Sequence, residues 1–473
     1  MLFFQKIKNS PAPFKAAVAF FVAGVVTKGI AYFVTPVYTR LLTPEDYGVT
    51  SIFLTWLELF GIVAMFCLSY GVFNNGMVDY PKKRDEYSLS MLALSNVITV
   101  LFSIVLLTIY PFIRHFVNLD ISFILLMCAY FLFFPAYRFW TAKQRYEYKY
   151  KSVFLWTILL ALISPAIAIT CIAFSDFHRL YARIFGAEIP LISIYIGFYI
   201  YLIVKARGKL NVKYWKSAIL FNLPLIPHYL SSFMLGSSDK IMISNLINNR
   251  ATAFYSVAYS VSAVVMIVWS AANASLVPHT YENLKKQTYE PISKAAMFIL
   301  YLFCACCFLI ILFAPELVKI MATAEYYEAI YVIPPVVGGV FFQMQYYLYA
   351  NVLYYFKKPK FVMIGSVFAM LLNVGLNYIF IPVFGYIAAG YTTLVCYALQ
   401  AFIDYLAMRH VFKEKLYNMK LICLISCAIV IFSITSGCLY GFFILRYVFV
   451  GLITMCLLLK RKKIIEKISV VRK

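Results

Sequence analysis

Charge is what this sequence has least of: 13% of its 473 residues are Asp, Glu, Lys or Arg, and only 19 are acidic. Together with 63% hydrophobic residues and a mean hydropathy of +0.83, that scarcity excludes a water-soluble fold, because soluble domains are only about half apolar. Long polar stretches are missing too. The longest outer segments, near Ser175–Ala187 and Ala314–Tyr331, are too short for a catalytic domain. The five histidines (115, 178, 228, 279 and 410) are scattered and offer no metal site, so no cofactor is expected. The eleven cysteines, from Cys67 to Cys456, lie in apolar stretches with neither metal-ligand spacing nor a pattern of paired loops. They read as small apolar residues.

What is present is one apolar run after another, from Phe14 almost to Leu459. A helix needs about 20 apolar residues to cross a hydrocarbon core of roughly 30 Å. On that rule the sequence predicts an all-α polytopic membrane protein with spans at 14–39, 47–70, 88–112, 121–140, 152–174, 187–204, 218–246, 251–276, 295–313, 332–356, 361–382, 386–408, 420–438 and 441–459. The basic start, Lys6, Lys8 and Lys15, resembles a secretory signal, but the apolar run after it is too long and lacks a cleavage site, so it counts as the first span. With both termini inside, 33 of the 42 Lys and Arg fall on the cytoplasmic side. This bias sets the orientation and explains the net charge of +23 by topology and anionic lipid rather than nucleic acid.

The basic linker Lys205–Lys216 divides the chain, and the first span of each half starts about 204 residues apart, at Phe14 and Ala218. Phe185-Gly186 and Phe384-Gly385 stand 199 apart in equivalent outer loops. The domains expected are therefore a six-helix lobe over 1–204, a linker over 205–217, a second six-helix lobe over 218–410, and a transmembrane hairpin with a basic tail over 411–473. A two-fold repeat is a common plan of secondary transporters.

An ionisable side chain in mid-span costs about 2.5–3.5 kcal/mol and is a functional candidate by default. Lys28 shares a face of the first span with Tyr32, Thr35 and Thr39; it either binds an anion, snorkels to a headgroup, or pairs with Glu58. Glu58, near the middle of the second span, suits a proton carrier and equally a structural partner of Lys28. In the seventh span His228, Ser232 and Asp239 share a face, while Lys240 is turned about 100° away. Either Lys240 points into a cavity and Asp239 holds a neighbouring helix, or the reverse, with an inert interhelical ion pair as the plain alternative. Arg40, Arg138, Arg250 and Asp404 fall at span ends, where solvation is the plain alternative to a binding role. Tyr255, Tyr259, Ser262, Met266, Trp269 and Asn273 form a stripe on the eighth span, and the tenth carries Gln343, Tyr346, Tyr347 and Tyr354. Such surfaces suit sugar rings as well as helix packing.

Two stretches carry a family resemblance. TKGIAYFVTPVYTRLLTPEDYGV (Thr27–Val49), with its basic first span and an outer loop ending in Pro44, Glu45, Asp46, Tyr47 and Gly48, is one. LNVGLNYIFIPVFGYIAAGYTT (Leu372–Thr393), with Asn373, Asn377, Pro382, Gly385 and Gly390, is the other, and SSDKIMIS (Ser237–Ser244) adds an acidic-basic pair. The pattern resembles the lipid-linked oligosaccharide flippases of the O-antigen (Wzx) type, in the superfamily that also holds the lipid II flippase and the multidrug and toxin exporters.

The resemblance implies two pseudo-symmetric six-helix bundles around a V-shaped cationic cavity. It further implies alternating access and an undecaprenyl-diphosphate-linked glycan as substrate, with Lys28 and Lys240 at the matching cationic positions. Substrate-contact candidates are then Lys28, Lys240, His228, Tyr32, Tyr255, Tyr259, Arg138, Asn373 and Asn377; coupling to H+ or Na+ falls to Glu58 and Asp239. Membrane lipids and downstream glycan polymerase machinery are the partners expected, in a cell inner membrane. The two spans after the twelfth exceed the usual number for O-antigen flippases. Two rivals stand beside this reading: a drug exporter of the same superfamily, which would want carboxylates and aromatics without buried Lys, and an integral glycosyltransferase or polymerase, for which the outer loops are too short. A non-enzyme is expected.

The charge bias makes a topological prediction. Reporter fusions at Lys82, Lys149, Lys213, Lys357 and Lys473 should all score cytoplasmic, and an external signal at Lys473 alone would remove the fourteenth span.

Overall fold

The structure is a computed structural model describing residues 12–175 and 177–459. Regular structure among these residues is entirely helical, and each of the fourteen apolar segments forms a helix. Twelve segments are long and apolar enough to cross a membrane by length and composition. Of the other two, Ile333–Tyr355 is diluted by Gln343, Gln345, Asn351 and five tyrosines, and the last is apolar over Phe443–Met455 only. The chain is thus a multi-pass membrane protein. It packs as two compact units, Met1–Phe233 and Met234–Lys473.

The first unit holds α1 (Ala12–Leu41), α2 (Pro44–Ala64), α3 (Gly71–Asp79), α4 (Arg84–Val117), α5 (Ile121–Tyr146), α6 (Tyr150–Ala173), α7 (Arg179–Lys205), α8 (Lys213–Asn222) and the opening turns of α9 (Ile226–Leu246). Helix α1 packs on α6, α6 on α7, α7 on α5 and α5 on α4. A core of Phe73, Met77, Tyr87, Leu92, Phe139 and Trp140 fixes α3 and α8 against α4 and α5.

Local chemistry explains where these helices start and stop. The segment expected to close an outer loop, Pro44 to Gly48, is instead the first turn of α2. Thr43 caps it by accepting from the Asp46 amide at 3.1 Å, Pro44 supplies a fixed φ at N1, and Glu45 and Asp46 face the helix dipole. Helix α2 ends at Ala64, six residues before the expected position, because Phe66 and Cys67 adopt left-handed φ values of 54° and 50°. Two such non-glycine residues in succession cost about 1–2 kcal/mol each. Thr99 Oγ1 bonds the freed Ala64 carbonyl at 3.0 Å, and Asn222 Nδ2 bonds that of Phe66 at 3.0 Å. The seventh span is likewise interrupted, by a 3-10 turn at Leu223–Leu225 between Pro224 and Pro227. Past the end of α5, burial raises the Glu147 carboxyl, but its bonds to Lys149 and Lys143 outweigh burial and hold it below the ordinary carboxylate value.

The second unit is built around α13 (Ile333–Tyr355), which packs against α10 (Asn249–Lys285), α11 (Glu290–Leu312), α14 (Pro359–Phe384), α15 (Ile387–Val411) and α16 (Met419–Leu439). A Cβ at Gly338 would meet Leu394 Cδ1 and Ser433 Oγ at 2.7 Å. Its absence lets α13 sit directly on α15 and α16, the small-residue packing usual in membranes. The hairpin of α16 and α17 (Phe443–Leu459) is anchored by one charge. Arg446, which falls inside the segment expected as the fourteenth span, is 3% exposed. It donates to both carboxylate oxygens of Glu316 in α12 (Ala314–Met321), at 2.5 and 2.7 Å, and to the Leu312 carbonyl at 2.9 Å. The Tyr447 hydroxyl donates to the same carboxylate at 3.1 Å.

Removing one member of a bidentate buried pair strands the other. Arg446→Leu should therefore lower the melting temperature by an amount equivalent to roughly 2–3 kcal/mol, and Arg446→Leu with Glu316→Leu should recover most of it. A double variant no more stable than the single one would show that the pair does not hold the hairpin.

Candidate functional site

In the second unit four of the sequence-selected residues converge. Asp239 on α9 has no exposed surface. It receives a hydrogen bond from the Tyr255 hydroxyl of α10, one from Asn377 Nδ2 of α14 at 2.6 Å, and one from the Thr393 hydroxyl of α15 at 2.7 Å. Around this first layer Asn373 Nδ2 donates to Thr393 Oγ1 at 3.1 Å, Asn377 Nδ2 to Asn373 Oδ1 at 3.1 Å, and Ser238 Oγ to Asn373 Oδ1 at 3.3 Å. The Thr392 hydroxyl donates to Asn377 Oδ1. The result is a fully buried knot of neutral hydroxyls and amides around one carboxyl, tying four helices together.

This arrangement answers the question left by the Asp239-Lys240 pair. Asp239 holds neighbouring helices. Lys240, turned away, sits half-buried with its ammonium 5.5 Å from the centre of the Tyr259 ring. Beside it lie the Tyr397 hydroxyl, which receives Gln343 Nε2 at 3.2 Å, and a stacked pair, Tyr346 on Tyr347, with ring centroids 4.3 Å apart. A second face of polar aromatics thus adjoins the knot without belonging to it. Tyr255, Asn373 and Asn377, expected to meet substrate, are sealed at Asp239 instead. Thr392, Thr393 and Ser238 were not singled out from sequence as site residues; their signal was the polar pair closing the quoted GYTT and the serine preceding Asp239.

The first unit contains a cavity of about 700 Å³. Arg138 and Glu58 both line it, with Tyr70, Tyr130, Phe134 and Tyr229 supplying aromatic wall. Arg138 was expected at a span end, but α5 runs on to Tyr146 and keeps it two turns inside. Its guanidinium lies 5.0 Å from the Tyr70 ring centre and 5.9 Å from that of Phe134, and Nε donates to Ser69 Oγ at 3.4 Å. The broken backbone after α2 supplies Met65, Cys67, Ser69 and Tyr70 to the wall. Irregular backbone at membrane depth is tolerated where it lines such a cavity.

Tyr229 stacks on Tyr70 at 5.3 Å, and His228 beside it keeps a buried Nδ1 without a hydrogen-bond partner among the described residues. Lys28 and Tyr32 are elsewhere. Lys28 is exposed on α1, Tyr32 is half-buried, and among the described residues no ion pair joins Lys28 to Glu58. Among the described residues no group of three or more His, Cys, Asp and Glu could hold a metal ion.

Known proteins share this fold. A structure of the lipid II flippase MurJ in an inward closed conformation superposes with a TM-score of 0.67 at 15% identity, over 94% of this chain and 100% of that one. An inward-facing multidrug resistance MATE family transporter of the MOP superfamily gives 0.59 at 13% identity, over 82% and 94%. A MOP superfamily transporter from Pyrococcus furiosus, described as having a binding pocket of reversed polarity, gives 0.54 at 14%, over 86% and 99%. These are transporters and a flippase rather than enzymes. In sequence the chain is 24% identical to a Haemophilus influenzae protein named after the Lsg locus, across 76% of this chain and 89% of that protein. Residues 14–284, more than half of the chain, match the model of the family described as polysaccharide biosynthesis protein, and the chain belongs to that family.

Proposed function

We propose that the protein flips a polyprenyl-diphosphate-linked oligosaccharide, an O-antigen or similar surface-glycan repeat unit, from the cytoplasmic to the outer leaflet of an inner membrane by alternating access. The observation that carries this reading is the cavity of the first unit, where one guanidinium stands among aromatic rings. A diphosphate needs positive, preferably bidentate donors, which Arg138 offers. Sugars present apolar faces and hydroxyl edges, which Tyr70, Tyr130, Phe134 and Tyr229 match. Lys28, Tyr32, Lys240, Tyr259 and His228 are retained in the proposal as further headgroup contacts. An undecaprenyl chain would stay in lipid, and the product would pass to a glycan polymerase. Glu58 in the same wall is what a cation exporter would use, so the cavity's preference between anionic and cationic probes separates the two readings.

Coupling is assigned to Asp239, with Glu58 as the second carboxylate. Asp239, Asn373, Asn377, Thr392 and Thr393 form one hydrogen-bonded cluster between helices, and its hard oxygens suit a sodium ion or a proton. Occupancy there would set how tightly α9, α10, α14 and α15 hold together, and hence which state of the transporter is populated. Tyr255, Asn373 and Asn377 thereby act through the ion rather than on the glycan.

Two predictions follow from these roles. In proteoliposomes with a labelled polyprenyl-diphosphate glycan, Arg138→Ala should slow headgroup translocation about tenfold or more, the equivalent of a lost charge-assisted bond, while Arg138→Lys keeps part of the rate. An alanine variant that folds and flips normally would sink the headgroup role. Asn377→Leu should reduce the acceleration given by an imposed sodium or pH gradient while leaving Arg138-dependent substrate binding in place. An unchanged gradient response would move coupling away from Asp239.

A further inference from the structure

Asp404 was placed at a span end near water by the sequence, but it lies within α15, four helix residues from its buried neighbour Gln400, and has no exposed surface. Among the described residues neither of its carboxylate oxygens has a hydrogen-bond partner, and Gln400 Oε1 has none either. Residues four apart share a helix face, so Asp404 and Gln400, with three donor-less acceptor atoms between them, stand on one side of α15. The other end of the Gln400 amide is engaged, Nε2 donating to Ser366 Oγ of α14 at 3.0 Å. From α14, Gly365 faces the carboxyl directly: a Cβ there would lie 3.1 Å from Asp404 Oδ1. The glycine clears room for the group without supplying it a donor.

Among the described residues no cation forms an ion pair with Asp404. α15 packs against α13 and α14. Helix α14 has no titratable side chain between Lys360 and Tyr378. The titratable groups of α13 are tyrosines, of which Tyr349 packs on Tyr405 with ring centroids 5.5 Å apart. On α15 itself Arg409 is engaged by the Lys413 and Glu414 carbonyls at 2.6 and 2.8 Å, and His410 lies against Phe361. An ionised carboxylate with neither donor nor cation is the costly state of such a group. A sodium ion would require about six oxygens, and the orphaned acceptors here are the two of Asp404 and the one of Gln400. A proton requires only one acceptor beyond the oxygen it rides on.

We propose that Asp404 is a proton-binding site of the second unit. A proton from water bonds to one carboxylate oxygen, and the new O–H donates to Gln400 Oε1, so that one hydrogen removes the negative charge and gives two of the three orphaned oxygens a partner. Release returns the proton to water and needs α14 and α15 to part enough to admit it. The same seam carries the Asp239 knot. Its cross-helix bonds run from Thr392 to Asn377 and from Asn373 to Thr393, then from Gln400 to Ser366, with Asp404 on Gly365 at the end. Twelve residues separate Thr392 from Asp404, about 18 Å along the helix. Loading Asp404 therefore neutralises a buried charge at one end of the interface whose other end holds Asp239. The site's use in coupling rests on the transporter reading; its proton does not.

The test is infrared spectroscopy of the full-length protein in lipid, with no glycan present. The parent should show a protonated-carboxyl carbonyl band at neutral pH that Asp404→Asn abolishes and Asp239→Asn leaves. Gln400→Leu should shift that band to higher frequency without removing it, because the O–H loses its acceptor. Transfer to heavy water should move the band over time, marking an exchangeable proton. A band of equal amplitude in Asp404→Asn would overturn the proposal, since Asp404 would then be ionised and bonded by a reoriented Gln400 amide. A band that never exchanges, even after a pH step, would overturn it equally by making the proton a fixed part of the core.

Discussion

A carboxyl with no exposed surface must find its donors inside the protein, and Asp239 finds three of them on three different helices. Within a membrane this constraint is severe, because the helices have little hydrophobic reason to associate and packing plus interhelical hydrogen bonding must do the joining. The rest of the second unit is arranged to let that happen. Gly338 draws α13 onto α15 and α16, α14 lies along α15, and Thr393 is thereby delivered to the carboxylate that Asn377 already bonds.

The first unit solves a different problem. Arg138 and Glu58 border a cavity, and the chain achieves this by interrupting helices. The break after Ala64 exposes Ser69 and Tyr70 to the space that Arg138 enters from α5, and Thr99 and Asn222 bond the carbonyls that the break releases. The second unit buries the Asp239 carboxyl in a bonded knot, while the first presents Arg138 and Glu58 to a cavity.

How much of this the sequence disclosed depends on the range of the interaction concerned. Apolar run length placed helix in each of the fourteen segments, twelve of which are long and apolar enough to cross a membrane, since the membrane requirement acts on each segment alone. The 100° step between Asp239 and Lys240 foretold that they would serve different surfaces, and they do. Tyr255, Asn373 and Asn377 were noticed for their polarity, but their common target is a tertiary fact, invisible to any one helix's periodicity. Arg138 and Asp404 were read as water-facing because the ends of α5 and α15 were drawn too early or taken as wet; α5 runs six residues further than expected, and α15 is covered by neighbours that only the fold supplies. The break at Phe66 and Cys67 carries no glycine or proline to announce it.

That break has a consequence for how this protein can vary. Glycine would relieve the left-handed strain at Phe66 and Cys67, yet the chain keeps two side chains there, Cys67 in the cavity wall and Phe66 packed against the core of α3, α4 and α5. The hinge between the second and third spans is therefore a sprung joint rather than a loose one: its backbone is held away from its relaxed shape by what its side chains touch. Changes to distant residues such as Thr99 or Asn222 would be felt at the cavity mouth as a change in that tension, with no lining residue altered.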